Sequence, residues 1–239
     1  MPELTKVFKR LEKKYIITHE QYQLLVEALE GHIVPDAFGE STINNIYFDT
    51  PDYRLIRASI EKPTVYKEKL RIRSYGVPTP ESKVFVELKK KYKGIVYKRR
   101  VDMTYEEAIR YLYRHEAPPS PSQVTAEINS FLAFYRKLRP AVSLFYDRTA
   151  YYSKDDPELR LTFDTNIRYR NTQLDLSRGD YGTVIMDRST YILEIKCVDA
   201  MPLWLTRELD RLKIYPSSYS KYGTAYKHML SESVVKISV

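Results

Sequence analysis

The stretch Lys67–Arg100, KEKLRIRSYGVPTPESKVFVELKKKYKGIVYKRR, leaves this chain few folds to choose from. Three runs in it alternate with period two: Lys67–Tyr75, Lys83–Lys91 and Ile95–Met103. Lys69, Arg71 and Arg73 share one face of the first run, with Leu70 and Ile72 on the other. Glu87 and Lys89 share a face of the second, against Val84, Val86 and Leu88, and Lys98 and Arg100 share a face of the third, against Tyr97 and Val101. Successive side chains of a strand point to opposite faces, so the pattern predicts a sheet with one apolar and one charged face. One such strand alone would be read as half-exposed, with a solvated charged side. Here the charges are mostly of one sign, and like charges facing each other across strands are destabilising unless an anion lies between them.

The pattern returns in distant segments. Val7–Ile17 places Arg10, Glu12 and Lys14 on one face. Pro140–Tyr152 does the same with Leu144, Tyr146 and Arg148, Leu159–Asp164 with Arg160, Thr162 and Asp164, and Tyr191–Val198 with Glu194 and Lys196. Ser41–Asp49 is a further strand. Helices are predicted after Thr18 and Thr104, each of which has Gln or Glu three residues on in capping-box position (Gln21, Glu107), and over Tyr53–Ser59, Ser122–Leu138, Leu203–Leu212 and Ser220–Leu230. Gly76–Pro80 and Lys93–Gly94 are turns. About eight strands that each carry charge on one face suit a closed barrel with a polar lumen better than a flat sheet. The expected fold is therefore α+β: a closed eight-stranded antiparallel barrel, its apolar outside covered by helices, in a single domain over residues 1–239.

The formal net charge is +8, which favours a polyanionic partner. The single cysteine, Cys197, rules out an internal disulfide and fits a reducing compartment. No stretch has the length and apolarity of a signal peptide or a membrane span, so a soluble, cytoplasmic protein is expected.

A lumen lined by Arg10, Lys14, Arg71, Arg73, Lys89, Lys98, Arg100, Arg148, Arg160 and Lys196 would attract a dense, thin polyanion such as a triphosphate or a phosphate chain. Arg forks bind phosphate oxygens bidentately and Lys acts as a point charge. Glu12, Glu87, Asp164 and Glu194 interleave with these bases, and carboxylates together with phosphate oxygens are the usual ligands of Mg²⁺ or Mn²⁺. Glu194 is the favoured metal ligand, with Asp164 a further candidate; for Glu12 and Glu87 a salt bridge to a neighbour weighs as much as metal. The sequence has no GxxxxGK[ST], GxGxxG or HExxH motif. Its four histidines lack ligand spacing, and Cys197 reads as a packed core thiol.

The residues RLEKKY at Arg10–Tyr15, LRIRSY at Leu70–Tyr75, ELKKK at Glu87–Lys91, YDR at Tyr146–Arg148, LEIK at Leu193–Lys196 and SYSKYGTAY at Ser218–Tyr226 are, in that order, similar to the VTC domain of polyphosphate polymerases, within the triphosphate tunnel metalloenzymes. The resemblance implies an eight-stranded tunnel, ATP and polyphosphate as substrates, Mn²⁺ or Mg²⁺ as cofactor, and transfer of the ATP γ-phosphoryl group to a growing chain. It implies phosphate binding by Lys14, Arg71, Arg73, Lys89, Arg148 and Lys196, and a metal on Glu194. It also puts Tyr146 on the nucleotide side and Ser220 and Lys221 against the phosphate chain; a helix N-terminus favours anions independently. A membrane protein that accepts the product is a conceivable partner. Two other readings stand beside this one. A tunnel triphosphatase would use the same bases with water as acceptor, although such enzymes carry Glu-x-Glu-x-Lys where this chain has Arg10-x-Glu12-x-Lys14. A non-catalytic polyphosphate or nucleic-acid binding module would stack bases on the tyrosines, but the interleaved acids would repel a nucleic-acid backbone, so no nucleic-acid partner is expected.

Overall fold

A computed structural model of the chain describes residues 10–61, 65–93 and 95–237, without the side chains of residue 10 and of 233–237. The start of the first expected strand (7–9) and the turn residue at 94 lie outside the described residues. In chain order the elements are β1 (Arg10–Thr18), α1 (His19–Ala28), β2 (Ile33–Pro35), β3 (Ser41–Asp49), α2 (Arg54–Ile60), β4 (Tyr66–Tyr75), β5 (Lys83–Tyr92), β6 (Ile95–Thr104), α3 (Tyr105–Tyr113) and α4 (Gln123–Tyr135). They continue with β7 (Arg139–Ser153), β8 (Arg160–Arg170), β9 (Thr183–Met186), β10 (Thr190–Val198), α5 (Leu203–Arg211) and α6 (Lys221–Ile237). The eight strands expected from periodicity are all present, with the short β2 and β9 added. The N-terminal caps fall where the sequence puts them: Thr18 with Gln21 and Thr104 with Glu107 form reciprocal capping boxes, and Ser122 pairs in the same way with Thr125.

The chain divides into two compact units. One is drawn from residues up to Ser41, Asp147–Asn166 and Met186–Tyr219; the other from Thr42–Tyr146, Ile167–Ile185 and Ser220 onward. In the first, β10 lies between β1 and β8, all antiparallel, and β2 pairs with the end of β7. The odd-numbered residues Tyr15, Ile17, Leu161, Phe163, Leu193, Ile195 and Cys197 point to one side, where Leu25 of α1, Leu29 just after it, and Leu205 and Leu209 of α5 close over them. In the second, β3, β4, β5 and β6 are antiparallel neighbours. Their apolar face (Ile46, Phe48, Leu70, Ile72, Val84, Val86, Leu88) packs on Ala108 and Leu112 of α3 and Ile128 and Phe131 of α4. Each fully buried Leu or Ile stabilises by roughly 1.5–3 kcal/mol. A one-residue slip of any strand would turn that whole set to the charged side, so the apolar face fixes the register and with it the positions of the bases opposite.

The strands pair along one path, β1-β10-β8-β7-β3-β4-β5-β6, with β2 and β9 as side branches on β7 and β8. The path has two ends, and among the described residues no ladder joins β6 to β1. The expected closure of the barrel by hydrogen bonds is therefore corrected to an antiparallel sheet with open ends. Alternation determines which face a side chain takes and is silent on whether the outer strands meet. Here the two outer strands carry Lys13 and Lys14 and Lys98, Arg99 and Arg100, the kind of composition that keeps an edge unpaired. Among the described residues no helix is long and apolar enough to cross a membrane.

Candidate functional site

In the second unit the charged face is built rung by rung across the strands. Arg71, Glu87 and Arg100 are direct cross-strand partners on β4, β5 and β6. Glu87 is 2% exposed and takes a guanidinium on each oxygen: Arg71 Nε donates to Oε2 at 2.7 Å and Arg100 Nε to Oε1 at 2.7 Å, with Lys98 Nζ at 3.1 Å from Oε1. Burial alone would raise the Glu87 pKa, but the charges of Arg71, Arg73 and Lys98 hold it well below the usual carboxylate range. The salt-bridge reading of Glu87 is thus the one realised, and a carboxylate enclosed by three cations has no lone pair left for a metal.

Arg73 is also buried, yet its resolved partners are neutral: Nε donates to Asn45 Oδ1 at 3.1 Å and Nη2 to the Tyr146 hydroxyl at 3.2 Å. The helix α6 begins at the same face. Ser220 Oγ accepts from Gly223 N at 3.2 Å, capping the helix, and from Lys69 Nζ at 3.3 Å, and Lys221 Nζ sits 4.5 Å from the Tyr146 ring centre. Gly223 fits closely there: a Cβ would lie 3.1 Å from Ile60 and 3.2 Å from Ser220, so a side chain would need both neighbours to give by a few tenths of an ångström. The helix is held by Tyr222, whose hydroxyl donates to the buried Asp49 at 2.9 Å, while Asp49 also accepts from the backbone N–H of Leu55 and Ile56 at the start of α2 at 2.8 and 3.0 Å.

Tyr47 has no place among the expected site residues. Its hydroxyl accepts from Arg71 Nη1 at 2.9 Å, and its ring stacks on Tyr222 with centroids 4.8 Å apart. Burial would raise its pKa, but Arg71, Lys69 and Arg73 outweigh burial and bring it down to about 8. The anion is the form the fold favours, so its contribution to stability is complete above the unfolded value near 10 and lost as pH falls through about 8. An ultraviolet difference titration should find one tyrosinate with a midpoint near pH 8, absent in Tyr47→Phe and shifted upward by an anion bound at Arg71. A titration with no step below the ordinary tyrosine range would remove Tyr47 from the site. The strand spacing held the clue: Asn45, Tyr47 and Asp49 alternate along β3, but only the last is charged, so a search by charge passes over the other two.

The first unit carries the remaining bases. Lys14 on β1 faces Glu194 on β10, and Glu12 faces Lys196. Lys196 Nζ lies 2.6 Å from Glu194 Oε1, and Lys14 Nζ lies 3.5 Å from Glu194 Oε2 and 3.8 Å from Glu12 Oε1. Burial raises the Glu194 pKa, and Lys196 and Lys14 together with Arg148 more than reverse this, to about 2. Arg148 grips Asp164 with Nε at 2.6 Å and Nη2 at 2.8 Å, a bidentate pair with a fully buried carboxylate. Arg160 turns to Asp36, after β2, at 3.0 Å, and lies over the Tyr152 ring at 4.9 Å. Lys89 stands between Lys69 and Lys98 in the β4–β6 register, and the Arg10 side chain lies outside the described residues.

The donors available to a cation follow from these pairs. Among the described residues no three of His, Cys, Asp and Glu gather as ligands. Asp164, like Glu87, is committed to a guanidinium. Glu12 and Glu194 differ: both are reached by the one flexible Lys14, and Glu194 is ionised across the physiological range. Two carboxylates suit a hard divalent ion that takes its other ligands from phosphate oxygens and water.

None of the curated proteins matches the sequence. Among solved structures, a putative adenylate cyclase from Bacillus halodurans aligns with a TM-score of 0.55 at 16% identity, over 88% of this chain and 93% of that one. A putative adenylyl cyclase from Hippeastrum, described as having a dominant triphosphatase activity, aligns with a TM-score of 0.56 at 17% identity, over 92% of this chain and 96% of that one. At such identities the likeness concerns the fold. The family model of the VTC domain matches residues 9–230, which takes in every strand from β1 to β10 and the Ser220–Lys221 start of α6. With nearly its whole length matched, the chain belongs to the VTC domain family.

Proposed function

We propose that this VTC domain is a metal-dependent polyphosphate polymerase, which transfers the γ-phosphoryl group of ATP to a growing polyphosphate chain. The observation that carries the reading is the excess of bases over acids on the charged faces. Glu87, Asp164 and Glu194 are each already matched by a cation, and Arg73, with neutral partners, retains its charge for phosphate oxygens. In this reading Arg71, Arg73, Lys89, Lys98 and Arg100 hold phosphates and spread the charge of the transferring group, as do Lys14, Arg148 and Lys196 in their unit. Lys221 and the Ser220 cap receive the phosphate chain at the start of α6, and Tyr146 lies toward the nucleotide. Mn²⁺ or Mg²⁺ would be held by Glu194 with Glu12 and would supply charge neutralisation at phosphate oxygens. No covalent enzyme intermediate is called for. Arg160, engaged by Asp36, has a supporting part.

A hydrolytic outcome has one observation in its favour, the triphosphatase activity of the similarly folded Hippeastrum protein. The same bases would then bind a triphosphate, with water as acceptor. Incubation of the purified protein with ATP and Mn²⁺, followed by ³¹P NMR and a polyphosphate gel, separates the two. Growth of an internal-phosphate signal together with ADP is the expected result. Orthophosphate and ADP without chain growth would replace the polymerase reading by the hydrolytic one, and no turnover would leave a polyphosphate-binding module.

A further inference from the structure

Arg71 and Arg73 share a face of β4, yet the strands beside them treat them differently. Across β5, Arg71 meets Glu87 and Arg73 meets Phe85; across β3, Arg71 meets Tyr47 and Arg73 meets Asn45. Arg71 gives its Nε and Nη2 to a carboxylate. Arg73 gives the same two atoms to neutral oxygens, Asn45 Oδ1 at 3.1 Å and the Tyr146 hydroxyl at 3.2 Å. Asn45 is itself fully buried, on a strand that lies between β4 and β7. Its Nδ2 donates to the Leu144 backbone carbonyl of β7 at 3.1 Å. These two bonds fix the amide, because a flipped side chain would set N–H against N–H at β4 and oxygen against oxygen at β7. Asn is depleted in strands, and a buried amide is costly unless it is bonded. Packing alone would favour a β-branched or aromatic residue at this position.

We propose that Asn45 is a positioning residue, which anchors the Nε edge of Arg73 to the backbone of β7 and so presents the opposite edge of the guanidinium to phosphate. The inference rests on the reading of this face as phosphate-binding and adds the residue that sets which edge of Arg73 the phosphate meets. A guanidinium carries five N–H groups in one rigid plane. The Nε–H and one N–H of Nη2 lie along the edge that Asn45 and Tyr146 occupy. The next edge carries one N–H of Nη1 and the second N–H of Nη2, and among the described residues no oxygen accepts from either. Two parallel N–H groups of this kind match two oxygens of one phosphate. The neutrality of Asn45 matters as much as its placement. A carboxylate in its place would hold the same edge but offset the charge, as Glu87 does at Arg71.

The test is a double-mutant cycle on the full chain, with equilibrium binding of tripolyphosphate as the readout. Asn45→Ala is expected to weaken binding about tenfold, and Arg73→Ala by at least as much. In the Arg73→Ala background, Asn45→Ala should change the affinity by less than about twofold, because its effect passes through the arginine. Asn45→Asp, although nearer to Asn in shape, should bind no better than Asn45→Ala. A merely structural part for Asn45 would instead give losses that add in the cycle, and additive losses would overturn the inference. Wild-type affinity in Asn45→Ala or in Asn45→Asp would overturn it as well. A measurement on the wild type stands apart from the folding of any variant. In ¹⁵N NMR of the arginine side chains, tripolyphosphate should slow rotation of the Arg73 Nη groups and leave the Nε–H signal in place. Displacement of the Nε–H signal would mean that phosphate takes the edge assigned to Asn45. Wild-type affinity in Arg73→Ala would remove the phosphate-binding reading of Arg73 and this inference together. A wild type that binds tripolyphosphate but builds no chain from ATP would remove only the polymerase reading, since the readout here is binding.

Discussion

Glu87→Gln should cost about 3–5 kcal/mol of folding stability while tightening the binding of tripolyphosphate. Glu87 is 2% exposed and is the shared partner of Arg71, Arg100 and Lys98. Glutamine keeps the shape and removes the charge, so three cations are left facing one another around a neutral amide. Breaking a buried ion pair from one side leaves uncompensated charge behind, which is why the cost exceeds that of a surface pair. The same loss raises the local positive charge by one, and an incoming phosphate then takes over the part of the missing carboxylate. Urea denaturation with and without tripolyphosphate would show both effects, with the anion recovering much of the lost stability. A variant as stable as the wild type would mean that Glu87 does not organise the rung. Acid titration of the wild type should give a related trend. Glu87 and Glu194 have depressed pKa values, so their stabilisation is full above about 4.5 and drains away as pH falls toward 2, where Glu194 takes up its proton.

Arg73→Ala should lower kcat/KM by about 10²-fold or more, corresponding to about 3 kcal/mol of transition-state stabilisation. Arg71→Ala should also fall steeply, but there the loss mixes catalysis with stability, because Glu87 loses a partner. Arg73 is the cleaner position. Its contacts are the Asn45 carbonyl and the Tyr146 hydroxyl, both neutral and able to remain hydrogen-bonded to water in the cavity left by the side chain. Arg73→Lys should recover only part of the rate, since an ammonium group cannot hold both partners and present a planar fork to phosphate. Steady-state kinetics with whichever product is formed would measure it; near-normal turnover in Arg73→Ala would mean that this face is not where phosphoryl transfer occurs.

Much of the fold was legible in the sequence because sidedness is a local property. Whether a residue falls on the odd or even positions of a strand needs no knowledge of its neighbours in space, and the apolar set of β4 and β5 is the same in sequence and structure; on β6 Val101 packs against the core, whereas Tyr97, expected beside it, is exposed. β2 and β9 were not legible: three and four residues are too few for a period of two to be distinguished from chance. Strand pairing at the two ends depends on edge N–H and C=O groups, about which side-chain alternation says nothing. At the site, alternation placed the bases on the right face without revealing how they are matched. That Arg160 turns to Asp36, or that Arg148 pairs with Asp164, follows from distances between residues far apart in the chain. Tyr47 escaped notice because its part is played by a neutral hydroxyl among charges.

Asp49 has a consequence for motion. The same carboxylate receives the first amides of α2 and the Tyr222 hydroxyl on the first turn of α6, and burial already pushes its pKa up. Helix ends ordinarily fray, because the terminal turn has the fewest bonds to lose. Here, opening the first turn of α6 would take Tyr222 with it and leave a carboxylate in the interior with one donor fewer. Local opening at this end thereby costs more than the fraying of an ordinary helix end, and the residues that begin the helix, Ser220 and Lys221, are tied down at the place where a long and flexible anion would need a fixed point to grip.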